Sequence, residues 1–510
     1  MLSQLLRFIA CTLGALFASG VVFALCAYLF TRHNDAPYPF HPDEATKADQ
    51  IIDGHRNYNH PQLMLEVAER VVQWEQTPAD RQAVVEAGRR GSGYVAAGAV
   101  VMMAWAGFFA FGVRGFCFSA IGVGLCPALL SHAHYFKEDA TLVFGIACVV
   151  AAMVALSKCK RAVWIALGAL LLGAACGVAA SGKYAGAICA APALLMVIFY
   201  ASRRWWLVPI GIILFAVGAS GAWGGINHRA VSDWENFRSG FDNELDHSLT
   251  SHRDVTMRRP NAFFVDACWQ EAMPHVKLLL IVCPFALLLM RRRPIAPAVW
   301  VALLGVIYLI ALSYSVLPFY RYALPVTVLL YWLCAMTLPW LISAFDFKPT
   351  VERIALALSL AFVATLQGYR CYDYTQQFAN DSRYALQAWA DLNLPPGAMV
   401  ASDEYTQLSA SAGRYRVATR FAAAEFGDVT RLRQRGITHV AVSSSTYERY
   451  LSRHTFGSPG HEQSFSRFAR TYQSLLNDYP QVWLRRATYP MHTFSNPDIV
   501  VVKINEQTTR

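Results

Sequence analysis

The sequence predicts an all-α polytopic membrane protein with a small α/β domain outside the membrane at its C-terminal end. Three observations predict it. The 510-residue chain is 55% hydrophobic and only 15% charged. Apolar runs of about 20 residues recur along it, and only helices or closed barrels satisfy their backbone in lipid. Residues 371–510 then turn polar, with short strand-like stretches. The formal net charge of +10 lies largely in short clusters between the apolar runs. There it sets topology and does not mark a nucleic-acid partner. Twelve cysteines are scattered singly, without a CxxC pair, and read as small core residues. Cys268 and Cys371 fall outside or at helix ends, where one bridge could form.

The first apolar run, residues 9–30, is preceded only by Arg7 and is long for a signal-peptide core, so it reads as an uncleaved anchor. Residues 31–93 form a long polar loop. Within it, the stretch from Pro61 to Trp74 sets Met64, Val67, Ala68, Val71 and Val72 on one helical face, with Glu66, Glu69, Arg70 and Gln73 opposite. Such a helix lies on the membrane surface or packs against the protein's own helices. Further spans are expected at 94–113, 115–133, 140–157, 162–180, 184–202, 206–224, 275–290, 296–315, 323–344 and 354–370. With the first run, that makes about eleven. The connections carry Arg114, Lys158-Cys159-Lys160-Arg161, Arg203-Arg204, Arg291-Arg292-Arg293, and Lys348 with Arg353. All fall on the side of the N-terminus, which the positive-inside rule makes cytoplasmic. The opposite side receives loops 31–93 and 225–274, the turns at 134–139 and Lys183, residues 313–322, and the tail.

Domain boundaries follow: a transmembrane domain over 1–370 and an outer α/β domain over 371–510. In the tail, residues 398–402 and 438–443 read as strands, and 429–436 as a short helix running into a glycine stop. Residues 482–489 and 498–504 are further strand candidates. Nothing in the tail has the spacing of a catalytic motif.

Chemistry concentrates on the outer side. His41-Pro42-Asp43-Glu44 follows the anchor, and His60-Pro61 opens the amphipathic helix. Lys137-Glu138-Asp139 sits at a helix junction. A carboxylate at the lip of a helix bundle is costly unless it faces a cavity or a partner. Asp139 also suits an N-terminal cap, worth about 1 kcal/mol. Lys183 and Arg321 read either as snorkelling residues or as cations aimed at a phosphate. Asp242, Glu244, Asp246, His247 and His252 have the side chains of a metal site but irregular spacing.

Taken in order, these features resemble the GT-C membrane glycosyltransferases. The match is to the branch holding protein O-mannosyltransferases and bacterial aminoarabinose transferases. It is carried by the anchor helix, Pro42-Asp43-Glu44 in a long outer loop, His60-Pro61, the Tyr135-x-x-Glu138-Asp139-Ala140 turn, Gly182-Lys183, and Arg321-Tyr322-x-Leu324-Pro325. It covers residues 1 to about 345 in order and departs from the aminoarabinose branch at His60, where that branch carries lysine. The resemblance implies a GT-C-like fold in a bacterial inner membrane, with a cytoplasmic N-terminus and a periplasmic tail. It implies inverting transfer of a sugar from a polyprenyl-phosphate donor to an acceptor hydroxyl on a lipid, glycan or protein. Asp43 would be the base, with Glu44, Glu138 and Asp139 completing the catalytic carboxylates. His60, Lys183 and Arg321 would bind the donor phosphate. No cofactor is required, although Glu138 and Asp139 could hold a divalent metal. The rival reading is a polytopic transporter or lipid flippase, whose sites usually lie nearer the midplane. A third is a non-catalytic assembly protein.

Overall fold

The computed structural model describes residues 2–250, 255–257, 260–289, 296–345, 347–489 and 494–505. The predicted cluster Arg291-Arg292-Arg293 and His252 lie outside them. Among the described residues, eight helices are long and apolar enough to cross a membrane. The helices in order are α1 (Leu2–Thr31), α2 (Glu44–Ile52), α3 (Leu63–Trp74), α4 (Arg81–Gly124), α5 (Pro127–Ala133), α6 (Asp139–Ser157), α7 (Ala162–Gly182), α8 (Ala190–Ala201) and α9 (Leu207–Ile226). Then come α10 (His228–Ser232), α11 (Trp234–Leu249), α12 (Pro260–Glu271), α13 (Pro274–Leu289), α14 (Ala296–Leu312), α15 (Leu324–Ala344) and α16 (Pro349–Ala379).

Helix α4 is a hairpin. Phe111 and Gly112 leave the helical region, Gly112 with φ +64°. Ser119 Oγ donates to the Met103 carbonyl at 2.6 Å, across 16 residues that a straight helix would hold about 24 Å apart. Gly107 and Gly115 meet backbone to backbone, so a Cβ on either would strike the other's carbonyl. The second arm and α5 occupy the predicted span 115–133. Helices α13 and α14 have 16 and 17 residues, and α8 has 12, lengthened at its start by a 3-10 turn over Tyr184–Cys189. Among the described residues each predicted span thus falls mainly on helix, with 296–315 ending at Leu312.

The amphipathic helix α3 packs on the protein itself. Met64, Leu65, Ala68 and Val71 are buried, Met64 and Val71 close on Gly91 of α4, and Phe136 joins the same cluster. Cys268 and Cys371 form no bridge. The Cys268 thiol faces the Ala323 carbonyl and the Cys371 thiol the Leu125 carbonyl, on different neighbours.

The predicted boundary at residue 370 falls inside α16, which runs on to Ala379; the tail proper begins with α17 (Ser382–Asn393) and builds a five-stranded sheet in the order β3-β2-β4-β7-β6. Its strands are β2 (Ala398–Asp403), β3 (Tyr415–Arg420), β4 (His439–Ser443), β6 (Gln481–Arg485) and β7 (Ile499–Lys503). β3, β2 and β4 run parallel, while β7 and β6 are antiparallel. Helices α18 (Val429–Gln434), α19 (Ser444–Leu451) and α20 (Glu462–Asp478) complete it. The predicted helix 429–436 ends as expected, at Gly436 with φ +74°. The strand predicted at 482–489 stops at Arg485.

Several contacts fasten the tail to the helical bundle, among them Arg453 with Asp266 of α12 at 3.3 Å. Arg383 Nη1 donates to the Pro39 carbonyl at 2.7 Å. Tyr135 OH and Ser495 Oγ share a hydrogen bond at 2.8 Å. Strand β1 (Val255–Met257), from the 225–274 loop, pairs antiparallel with β5 (Thr455–Gly457) of the tail. The Asp43 loop and the tail therefore share one end of the bundle. At another point, beside the α4 turn, Arg114 pairs with Glu352 at the start of α16.

Candidate active site

The site forms where helix ends converge. Asp43 directly precedes α2, yet its side chain accepts no capping hydrogen bond from that helix. Its carboxylate instead accepts from Lys137, and Lys137 Nζ also donates to His60 Nε2 at 2.9 Å. The Asp43 amide donates to His41 Nδ1 at 3.1 Å. Half of the Asp43 side chain remains open to a cavity of about 380 Å³. His60, Lys137, Lys183, Arg321 and Arg449 line the same cavity. Three of the seven sequence-predicted residues, His60, Lys183 and Arg321, thus meet Asp43 around one space.

The other carboxylates lie behind its wall. Glu138 is buried, accepts from Lys47, and lies 3.2 Å from Lys137 Nζ. Asp139, the first residue of α6, accepts from Lys183 Nζ at 2.8 Å and lies 3.9 Å from Arg321 Nε. The N-terminal end of a helix favours that negative charge. Asp139 therefore braces the two cations, and α6 makes no side-chain capping bond. Glu44 faces elsewhere. Fully buried, it accepts from Arg89 at 2.7 and 3.2 Å and from the amides of Phe40 and Phe136 at 2.9 and 3.0 Å.

Charge settles these groups. Burial would raise the Asp43 carboxyl, but Lys137, His41 and His60 outweigh it and hold it far below the usual carboxylate range. Burial likewise pushes Glu138 up, and the positive charge around it, the ammonium groups of Lys137 and Lys47 included, brings it well below. Lys137 is destabilised by burial, yet Asp43 and Glu138 raise it above an ordinary lysine. Burial lowers His60, so its ring is neutral at neutral pH, and Nε2 accepts from Lys137.

Sequence reasoning missed four contributors. Lys47 and His41 stand within the singled-out loop but carried no motif signal. Arg89 stands in a polar stretch that gave no hint of burial. Arg449 comes from the tail, where its guanidinium lies over Phe319 and Phe421 at 5.6 and 5.0 Å. Of the five metal candidates, Glu244 and His247 reach the cavity wall, while Asp242 sits on the surface beside Arg238. Among the described residues no group of three or more metal-binding side chains forms.

No protein-family model matches the chain, and no curated protein matches it by sequence. Solved structures do. ArnT from Cupriavidus metallidurans bound to undecaprenyl phosphate is similar over 96% of this chain and 97% of its own, at 14% identity and a TM-score of 0.53. The S. cerevisiae protein O-mannosyltransferase Pmt1-Pmt2 complex bound to the sugar donor matches 48% of this chain and 39% of its own, at 16% identity and a TM-score of 0.34. The Archaeoglobus fulgidus oligosaccharyltransferase tethered with an acceptor peptide matches 93% of this chain and 73% of its own, at 11% identity and a TM-score of 0.45. The first spans both chains almost end to end, through the bundle and into the tail. This multi-pass membrane protein has the GT-C fold of membrane glycosyltransferases.

Proposed function

We propose that the protein transfers a sugar from a polyprenyl-phosphate donor to an acceptor hydroxyl, with inversion, at the outer face of the membrane. One observation carries this reading: a single cavity at the lip of an apolar bundle holds the Asp43 carboxylate and the cations Lys137, Lys183 and Arg321. Its volume of about 380 Å³ lies within the range of small-ligand sites. The similar ArnT structure has undecaprenyl phosphate bound. A lipid-phosphate sugar brings its own leaving group, so neither a nucleotide fold nor a Gly-rich phosphate loop is needed.

In the proposed reaction Asp43 takes the proton of the acceptor hydroxyl. The oxygen attacks the anomeric carbon from the face opposite the phosphate. The bond from that carbon to the phosphate oxygen breaks, and its electron pair stays on the phosphate. Lys183 and Arg321, held by Asp139, stabilise the charge that gathers there. Lys137 keeps Asp43 ionised before the donor arrives. Once a phosphate enters, Lys137 has a second anion to pair with, and the basicity of Asp43 rises. His60 acts as a neutral acceptor that orients Lys137, so the positive charge on the phosphate comes from the two lysines and the arginine.

Glu138 and Asp139 do not fit a divalent ion well. Each already faces ammonium groups, Lys47 with Lys137 and Lys183 respectively, which would repel a cation placed between them. No step is routed through a metal, and transfer should persist in EDTA.

The test is transfer in proteoliposomes from radiolabelled glycosyl phosphoryl undecaprenols. Asp43→Asn should lower transfer by about 10²–10⁴-fold while melting temperature and undecaprenyl phosphate binding hold. Transfer within twofold of wild type would remove Asp43 from the chemistry. Ion or lipid flux without transfer would establish the transporter instead.

A further inference from the structure

A second cavity, of about 480 Å³, lies between the helical bundle and the tail. It meets the first at His41, Phe319, Arg321, Arg449 and Phe494, which line both. Helix α19 forms much of its tail-side wall, and the sequence holds that helix firmly. Ser443 caps it, donating its amide to the buried Asp403 carboxylate at 2.8 Å and accepting from the Ser445 amide at 3.3 Å. Ser444 and Asp498 exchange two hydrogen bonds, at 2.9 and 3.0 Å. Asp498 Oδ1 accepts from the Ala487 amide at 2.9 Å. One turn along α19, Glu448 is open to the cavity and forms no ion pair among the described residues. Burial and the nearby Asp498 push its carboxyl up to about 6. Tyr320 and Gln270 line the cavity from the bundle side, and Phe319 and Phe494 supply aromatic surface at the junction.

We propose that this cavity is the acceptor compartment and that the acceptor is a carbohydrate, held by Glu448 and Asp498 from the tail against Tyr320, Phe319 and Phe494. The proposal rests on the glycosyltransferase reading and assigns its second substrate. Carboxylates accept hydrogen bonds from neighbouring hydroxyls, and aromatic faces cover the apolar faces of sugar rings; a pocket offering both suits a polyhydroxylated ligand. A peptide acceptor would favour an extended groove beside an unpaired strand. Neither edge strand of the five-stranded sheet, β3 or β6, lines this cavity, and the short β5 touches it only at its first residue, Thr455. The junction also fits the chemistry. His41 lines both cavities and its Nδ1 accepts the Asp43 amide, so an acceptor hydroxyl passing His41 arrives beside the base. The opening between the cavities carries Arg321 and Arg449, placing cations between donor phosphate and acceptor.

Two binding measurements on the purified full chain test this. Saturation-transfer NMR with methyl glucoside, methyl mannoside, methyl N-acetylglucosaminide and cellobiose should show contact with at least one sugar. Titration of undecaprenyl phosphate reports the donor side. Glu448→Ala should weaken the sugar about tenfold, the loss of one charge-assisted hydrogen bond, with Glu448→Gln intermediate. Undecaprenyl phosphate affinity and melting temperature should stay unchanged. In transfer assays the acceptor KM should rise with the donor KM constant. The proposal is overturned if no sugar binds the wild type, if Glu448→Ala binds within twofold of wild type, or if a Ser/Thr pentapeptide competes for the same site. A failure of the glycosyltransferase reading looks different: sugar binding would still respond to Glu448 while undecaprenyl phosphate fails to bind or no transfer occurs.

Discussion

Arg89 and Glu44 form a fully buried, two-pronged ion pair, with Nη2 to Oε2 at 2.7 Å and Nε to Oε1 at 3.2 Å. Arg89 also donates to the carbonyls of Asn34, Ala36 and Tyr38, each at 2.9 Å, and stacks on Phe40 at 4.1 Å. Every oxygen of Glu44 is likewise used, twice by backbone amides. The pair ties the chain leaving α1 to α4 and to the turn before α6, and it fixes the backbone one residue from Asp43. Removing one partner of a buried pair costs about 3–5 kcal/mol, because the other charge is left uncompensated. Arg89→Met is therefore expected to lower the melting temperature sharply and to lose activity by unfolding. Glu44→Gln should be milder in activity per folded molecule than Asp43→Asn. Normal melting of Arg89→Met would show that the clamp does not hold the loop.

The two cations on Asp139 make a separable prediction. Lys183→Ala and Arg321→Ala should each reduce turnover about ten- to a hundredfold, the worth of a charge-assisted contact of roughly 1.5–3 kcal/mol. Lys183 also lies 4.5 Å from the Tyr322 ring, and Arg321 4.3 Å from Phe319. Packing alone would be kept by Lys183→Met. Turnover of that variant within twofold of wild type would reduce Lys183 to a packing residue.

Much of this site was legible in the sequence because its parts sit at helix ends, where a charge stands out against apolar runs. Asp43, Lys183 and Arg321 were each found that way, and counting spans put them at one end. Pairing was not legible. Glu44 and Asp43 look alike in one dimension, and only the fold sends one to Arg89 and the other to the cavity. The loop 225–274 hid three helices, since α11 alternates aromatic and acidic residues around a half-exposed surface. Arg449 and Glu448 stand on a short helix whose role depends on the tail docking through Arg383 and β5. Docking of that kind leaves no local pattern.

Topology gives a third prediction. The tail and the Asp43 loop are expected on the periplasmic side, because the basic connections Lys158-Cys159-Lys160-Arg161 and Arg203-Arg204 fall at the opposite end of the bundle, the predicted cytoplasmic one. A reporter fused after Gln376 should be active only if it requires export. Activity of a strictly cytoplasmic reporter there would invert the arrangement and move the chemistry to the inner face.

The last prediction concerns Lys137, the residue shared by Asp43, His60 and Glu138. A carboxyl whose folded pKa is depressed gives stability above its unfolded value, about 3.9, and loses it as pH falls through the folded value. For Asp43 that folded value lies far below the ordinary range, with Lys137 the largest of the lowering influences. The wild-type pair should therefore stay ionised from pH 5 to 9, and Asp43 should add no acid limb to kcat/KM in that window. Lys137→Met removes the ammonium and leaves burial, which raises the carboxyl. An acid limb should then climb into the accessible range, and transfer at neutral pH should fall with the lost phosphate contact. Lys137→Arg keeps the charge and should keep the limb low, which separates charge from packing. Glu138 still has Lys47, so the variant retains a partner for its buried carboxylate. A Lys137→Met profile that superimposes on wild type from pH 5 upward would mean that Lys137 does not tune Asp43. The base would then owe its ionisation to its other neighbours, His41, His60 and Lys47.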